Sequence, residues 1–128
     1  MVSFEQMNDD SKIGQAKIWF DMAKRYEQVS DYKTARGWML EAYKLYCVCK
    51  SDKNNEELLR GKGKCEVALI DLSEKCGLHD ETLLYANRAC LTYEILSELD
   101  PEEFFMFLKI EKRRDDILLN DKQDALTK

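Results

Sequence analysis

The chain has 128 residues, of which 45% are hydrophobic and 35% charged, and its formal net charge is −5. These values fit one folded, helix-rich domain, and they exclude both a disordered chain and two ordinary domains. One proline and five glycines leave too little turn material for an all-β fold, which would need a turn about every eight to twelve residues. We therefore predict an all-α fold.

The first predicted helix follows an acidic lead, residues 1–10, which lacks the basic and apolar regions of a signal peptide. Asp10 or Ser11 is predicted to cap this helix, and Asp31 to cap a second one. Both helices carry apolar residues at intervals of three and four, as amphipathic helices do. The two stripes are Ile13, Ala16, Trp19, Phe20, Ala23, Tyr26 and Val29, and Ala35, Trp38, Met39, Ala42, Leu45, Tyr46 and Cys49.

The spacing within this first hairpin resembles a tetratricopeptide repeat. The family pattern is W-x2-L-G-x2-Y followed by A-x3-F on a second helix, and Ser30 stands where the family usually has a glycine before Asp31-Tyr32. The resemblance covers residues 16–47, and it implies stacked antiparallel hairpins that form a helical interaction module; an ordinary amphipathic hairpin is the alternative. The matching residues are Trp19, Met22, Ala23, Tyr26, Ala35, Met39 and Ala42.

A third and a fourth helix are predicted after a polar turn at Ser51 to Asn55. The third runs from about Glu56 to Cys76, with a frayed or kinked start because Gly61 and Gly63 weaken it. Gly77 ends it, since helices often stop at a left-handed glycine. Asp80 is predicted to cap the fourth helix, which ends near Leu99.

These two helices look like a degenerate second copy of the first hairpin. The copy departs from the family because Trp19 and Leu69 are 50 residues apart rather than about 34. Longer helices, of about 20 residues, would account for the difference, and the corner of this copy is predicted to be one residue longer. The positions that suggest the copy are Leu69, Leu72, Ser73, Cys76, Ala86 and Cys90.

A fifth helix is predicted to start at Pro101, because Asp100-Pro101-Glu102-Glu103 combines a cap, a first-turn proline and acids at the positive end of the helix dipole. Its aromatic first half should cover the fourth helix. Its second half should project into solvent or meet another chain, because residues 112–116 are all charged. Residues 120–128 are predicted to be a disordered tail. The single TPR-like helical domain therefore spans residues 11–119.

Charge and cysteine content narrow the function classes. Residues 11–50 hold eight Lys/Arg against four Asp/Glu, and residues 79–128 hold seven against twelve. The overall acidity argues against nucleic-acid binding, and no apolar run is long enough for a membrane span. Five cysteines without a C-x2-C pair are typical of reduced thiols, so we expect a cytoplasmic protein.

No catalytic, cofactor or metal site is predicted. His79 is the one histidine, which leaves no partner for a cysteine nucleophile and no multi-histidine metal site. Glu102-Glu103 and Asp115-Asp116 are successive on a helix and point apart. Gly61 to Lys64 lacks the spacing of a phosphate-binding loop and is interpreted as a flexible basic turn of helix. The sequence therefore predicts a non-enzymatic protein.

Binding residues are predicted on the first helix, by the resemblance. In the family, the first helix of each repeat faces a concave groove, and residues beside the packing stripe bind the ligand. Two lysines beside a phenylalanine would suit the carboxylates and an apolar side chain of an acidic peptide; a solvated charged face is the alternative. The residues in those positions are Lys17, Phe20, Asp21, Lys24 and Gln28.

Two function classes stay open at this point. The first is an adaptor or scaffold whose groove binds a protein or peptide segment, with a secretion chaperone of the repeat family as a specialised form. The second is a structural or self-associating subunit, including a homodimer, in which Trp38, Phe105 and Phe107 form the contact.

Overall fold

The computed structural model describes residues 7–50 and 55–127, and every regular element in these ranges is helical. Two hairpins and a final helix follow one another, since α1 packs on α2, α3 packs on α4, α2 contacts α3, and α4 contacts α5. The predicted all-α fold of five helices is confirmed. The helices are α1 (Asp9–Gln28), α2 (Tyr32–Cys47), α3 (Glu56–Lys75), α4 (His79–Leu99) and α5 (Phe104–Thr127).

Alanines bring the first two helices together. Ala23, Ala35 and Ala42 are fully buried, and such small side chains let two backbones approach closely. Trp19 and Trp38 fill the space beside them, with their ring centroids 6.2 Å apart. The pattern of small and large residues in the sequence therefore locates the interface of this hairpin.

Both hairpins turn in the same way. Ser30 and Gly77 follow α1 and α3 with φ of 63° and 72°, and the next residue donates its N–H to a carbonyl five positions back, Asp31 to Tyr26 at 2.9 Å and Leu78 to Ser73 at 2.8 Å. This is the Schellman ending of a helix. The equivalent residues are 47 positions apart and the connections equally long, so the predicted 50-residue offset and longer second corner are wrong.

Two predicted caps are also corrected. Asn8 caps α1, because its Oδ1 accepts a hydrogen bond from Ser11 N at 2.8 Å, and Asp10 lies inside the first turn. The residue before α4 is Leu78, which has no capping side chain, because the three-residue connection starts the helix before Asp80. The expected cap of α2 holds, since Asp31 accepts a hydrogen bond from Thr34 N. Asn55, the last residue of the predicted turn, caps α3 by accepting from Leu58 N. Residues 51–54 of the predicted turn lie outside the described ranges.

Helix α3 is continuous through Gly61 and Gly63, so the predicted frayed start is wrong. A Cβ atom at Gly61 would overlap the ring of Tyr46 on α2, and one at Gly63 would lie 2.7 Å from Cε2 of Tyr93 on α4. Both tyrosines are buried. Each glycine therefore admits an aromatic ring against the backbone of α3, and ring packing offsets the low helix propensity of glycine.

Helix α5 differs from its prediction in three respects. Asp100 caps it as expected, but Pro101–Glu103 form a 3-10 turn before the α-helix. The start of its first half is exposed, with Phe105 72% accessible, but Phe107 packs against the core and Ile110 is buried. The second half also packs on the domain, where Ile117 is buried and Asp121 pairs with His79. The helix runs to Thr127, beyond the predicted domain end at residue 119. Residues 1–6 of the predicted lead are outside the described ranges.

Candidate interaction groove

An open groove of about 550 Å³ lies between α1 and α3. It forms because both helices pack on α2 but contact each other little. The aromatic ring of Tyr46 on α2 and the bare backbone of Gly61 on α3 form its floor. The walls are Lys17, Phe20 and Asp21 from α1, and Glu56, Glu57, Arg60 and Lys64 from α3.

The structure brings three of the five predicted binding residues into this groove. Lys17, Phe20 and Asp21 lie beside the stripe that α1 buries against α2, and so they face α3. Lys24 lies next to the groove, with its Nζ 5.5 Å from the centroid of the Phe20 ring and 3.3 Å from Glu27 Oε1. Gln28 is exposed at the end of α1 and is not part of the lining.

Salt bridges already engage two of the cations in the groove. Lys17 Nζ lies 3.3 Å from Glu57 Oε1, with both side chains more than half exposed. Arg60 lies 2.7 Å from Asp100 and 2.5 Å from Glu103, across the junction of α4 and α5. Hydrogen bonds to Glu103 and Asp100 raise the pKa of Arg60. The guanidinium thus fixes the start of α5 beside the groove.

Lys64 is the groove cation that has no salt bridge among the described residues. Three basic and three acidic residues line the groove, the acids being Asp21, Glu56 and Glu57. The groove is therefore balanced in charge and is not strongly basic. An acidic ligand group would meet Lys64 without first breaking an ion pair.

Sequence reasoning missed the α3 half of the groove. The segment Gly61 to Lys64 was interpreted as a flexible turn of helix, whereas Gly61 forms the floor and Lys64 a wall. One signal could have located it: Gly14 and Lys17 recur as Gly61 and Lys64, at the 47-residue offset of the two hairpins. Of these equivalent positions, both lysines line the groove, whereas of the two glycines only Gly61 does.

A buried acidic network lies elsewhere in the domain, and the sequence did not predict it. Glu66 of α3 is 2% exposed, and it accepts hydrogen bonds of 2.6 Å from Tyr43 Oη and from Thr92 Oγ1. Burial raises the pKa of Glu66, although the two hydrogen bonds oppose this. A cavity of about 470 Å³ beside it is lined by Lys62 and Arg88. The hydrogen bonds satisfy both carboxylate oxygens and join α2, α3 and α4.

Cysteines and metal-binding side chains show no further site. All five cysteines are free, and burial raises the pKa of the thiols of Cys47, Cys65 and Cys90. A raised pKa makes a thiol less nucleophilic at neutral pH. Within residues 7–50 and 55–127 no cluster of three His, Cys, Asp or Glu side chains could hold a metal ion. None of the helices described there is both long and apolar enough to cross a membrane.

We compared the chain with profiles of known protein families, with characterised proteins and with solved structures. None matched. The resemblance to the tetratricopeptide repeat therefore stays a prediction.

Proposed function

We propose that this chain is a non-enzymatic adaptor that binds a protein or peptide segment in the groove between α1 and α3. The observation that carries the proposal is the position of Phe20, a half-buried aromatic side chain in an open groove with charged walls. Aromatic side chains at the centre of such a surface commonly act as anchors for a partner, while the charged rim sets orientation and association rate.

The proposed ligand is an extended or helical segment with an apolar side chain and nearby acidic groups. Its apolar side chain would lie against Phe20 and Tyr46, and an acidic group would reach Lys64 or compete with Glu57 for Lys17. Exposed salt bridges such as Lys17–Glu57 contribute about 1 kcal/mol or less, so a ligand can displace them. Neither nucleic acid nor a cofactor is part of this proposal.

We propose a cytoplasmic location, because five cysteines without a disulfide are typical of a reducing compartment. A secretion chaperone would be a narrower form of the same adaptor.

Selection of linear peptides from a random phage-displayed library tests the proposal. Selected peptides are synthesised with a fluorophore, and their dissociation constants are measured by anisotropy for the wild type, Phe20→Ala and Ile18→Ala. Ile18 is the matched control, because it is also on α1 but is 59% exposed and outside the groove. We expect Phe20→Ala to weaken binding about fivefold or more, as loss of an anchor does, and Ile18→Ala to leave it unchanged.

A second pair of variants tests the charged walls. Lys17→Glu with Lys24→Glu should weaken binding, whereas Lys44→Glu, an exposed change on α2, should not. The proposal is wrong if no peptide is selected above background, or if peptides bind the Phe20 and double-lysine variants as tightly as the wild type. Thermal unfolding of each variant shows whether the fold is intact.

A second candidate function is a structural or self-associating subunit. It is favoured by the exposed aromatic start of α5, where Phe104 and Phe105 are 48% and 72% accessible. Of the other residues expected to form such a contact, Trp38 packs against Trp19 and Phe107 against the core. Any such interface should therefore be centred on α5.

A further inference from the structure

The outward face of α5 combines exposed apolar and charged residues in a regular order. Phe105, Leu108 and Leu119 are 72%, 42% and 58% accessible, and Lys112 and Asp115 lie between them. These positions, together with Lys122, are separated alternately by three and four residues, which is the spacing of a coiled-coil seam. They lie opposite Ile110 and Ile117, the residues that α5 buries against the domain.

We propose that this face pairs with the same face of a second copy of the chain, antiparallel and about a two-fold axis. The proposal deepens the second candidate function and does not depend on the groove. A helix face that meets only solvent is normally polar. Here an aromatic and two leucines remain accessible on it, and a second α5 would cover them.

Charge complementarity selects the orientation. In a parallel pair, Lys112 would face Lys112 of the second copy and Asp115 would face Asp115, which is repulsive. In an antiparallel pair, Lys112 can face Asp115 of the second copy, and the two-fold axis repeats this contact. The same alignment places Leu108 opposite Leu119 of the second copy and Phe105 opposite Lys122.

In the same antiparallel alignment, the residues beside the seam are also complementary in charge. Lys109 and Asp116 lie on one side of the seam, both exposed, and antiparallel pairing brings Lys109 of one copy near Asp116 of the other. A shift of one heptad removes the match, because Lys112 would then face Leu108 or Lys122. Asp115 now contacts Arg114 of its own helix at 3.3 Å, an exposed pair that a second copy can replace.

The two-fold symmetry makes a decisive experiment possible. One variant carries Lys109→Glu and Lys112→Glu, so that each seam has only acidic residues at the four charged positions. The other carries Asp115→Lys and Asp116→Lys, so that all four are basic. We expect the wild type to dimerise and each variant alone to be monomeric, because like charges would face each other across the axis. An equimolar mixture should form a heterodimer, since every contact is again between opposite charges.

Sedimentation equilibrium measures these states, over loading concentrations from about 5 to about 500 µM to include weak, small interfaces. Phe105→Ser should raise the dissociation constant of the dimer about tenfold or more. Leu91→Ser is the control and should have no effect, because Leu91 is a similarly exposed apolar residue, 63% accessible, on α4. Circular dichroism confirms that each variant remains helical. The proposal is overturned if the wild type is monomeric throughout, if the charge variants still form homodimers, or if their mixture remains monomeric.

Discussion

Tyr43 of α2 donates its hydroxyl proton to Oε2 of Glu66 on α3, over 2.6 Å. The other carboxylate oxygen accepts from Thr92 of α4 at 2.6 Å. Because α2 belongs to the first hairpin and α4 to the second, a single buried acid connects both hairpins. A buried carboxylate whose two oxygens both accept hydrogen bonds specifies which helices meet. Burial nevertheless disfavours its charged form.

We predict that Glu66→Gln raises the free energy of unfolding near neutral pH. Burial raises the pKa of Glu66 above its usual 4.5, so the folded chain holds this proton more tightly than the unfolded chain. Stability from this group is therefore fully present below the unfolded pKa and is lost as pH rises through the folded pKa. Glutamine does not ionise, so Glu66→Gln avoids this loss. The gain in free energy of unfolding should therefore shrink as the pH is lowered towards the pKa of the carboxyl group in the unfolded chain.

Urea unfolding of both proteins at several pH values between about 4.5 and 7.5 measures this difference. Glu94→Gln on the exposed surface of α4 is the matched control and should show no such trend. A constant difference between Glu66→Gln and wild type across the range would contradict the expected linkage.

Alanine at Gly61 should destabilise the protein, although alanine favours helix formation. Its Cβ would overlap the Tyr46 ring, and overpacking of a core typically costs about 1 to 3 kcal/mol. Gly37→Ala on α2 is the control, because no atom lies within 4 Å of its Cβ position, and it should stabilise by about 1 kcal/mol. Thermal unfolding gives both values; a gain for both variants would mean that the ring does not rest on Gly61.

Ser30→Gly should stabilise the first hairpin. Ser30 has φ of 63°, a region that costs L-residues about 1 kcal/mol or more. Glycine avoids this penalty but is more flexible in the unfolded chain, so a net gain of about 0.5 kcal/mol is expected. Gly77→Ala, at φ of 72°, should show the opposite sign. The denaturation midpoints of the two variants would disprove this account if they shifted in the same direction.

Ala23→Leu should destabilise the contact between α1 and α2. Ala23 is 0% exposed, so a larger side chain must push the helices apart, at a cost of about 1 to 3 kcal/mol. Gln28→Leu places the same side chain at an exposed site on the same helix and should have little effect. Equal stability of the two variants in guanidinium unfolding would show that Ala23 is less tightly enclosed than the structure indicates.

The helices could be predicted from the sequence because their signals are local. Periodic apolar residues placed α1 to α4, and the start signal Asp100-Pro101-Glu102-Glu103 placed α5. Capping by Asp31 and Asp100 is determined by the side chain itself. The continuity of α3, which was not predicted, depends on distant parts of the chain. Gly61 and Gly63 weaken an isolated helix, but rings from α2 and α4 pack against them. The ring packing that compensates for the low helix propensity of these glycines cannot be recognised from neighbouring residues.

The groove was half predictable for the same reason. The pattern of α1 identifies Lys17, Phe20 and Asp21 as lying beside its packing stripe, which is a local property. Their neighbours on α3 depend on how the two hairpins stack, so Glu57 and Lys64 were missed. The position of Arg60 is still harder to predict from local sequence, because its partners Asp100 and Glu103 are about 40 positions away.

The packing of the Tyr46 ring on Gly61 also indicates how further hairpins could be added to this fold by protein engineering. At the 47-residue offset, Tyr93 is the counterpart of Tyr46 and Gly14 that of Gly61, and nothing lies within 4 Å of the Cβ position of Gly14. If residues 8–99 were concatenated head to tail, Tyr93 of one unit would meet Gly14 of the next while its ring also packs on Gly63 of its own hairpin. A repeating array would therefore need the Tyr93 ring to pack on both glycines.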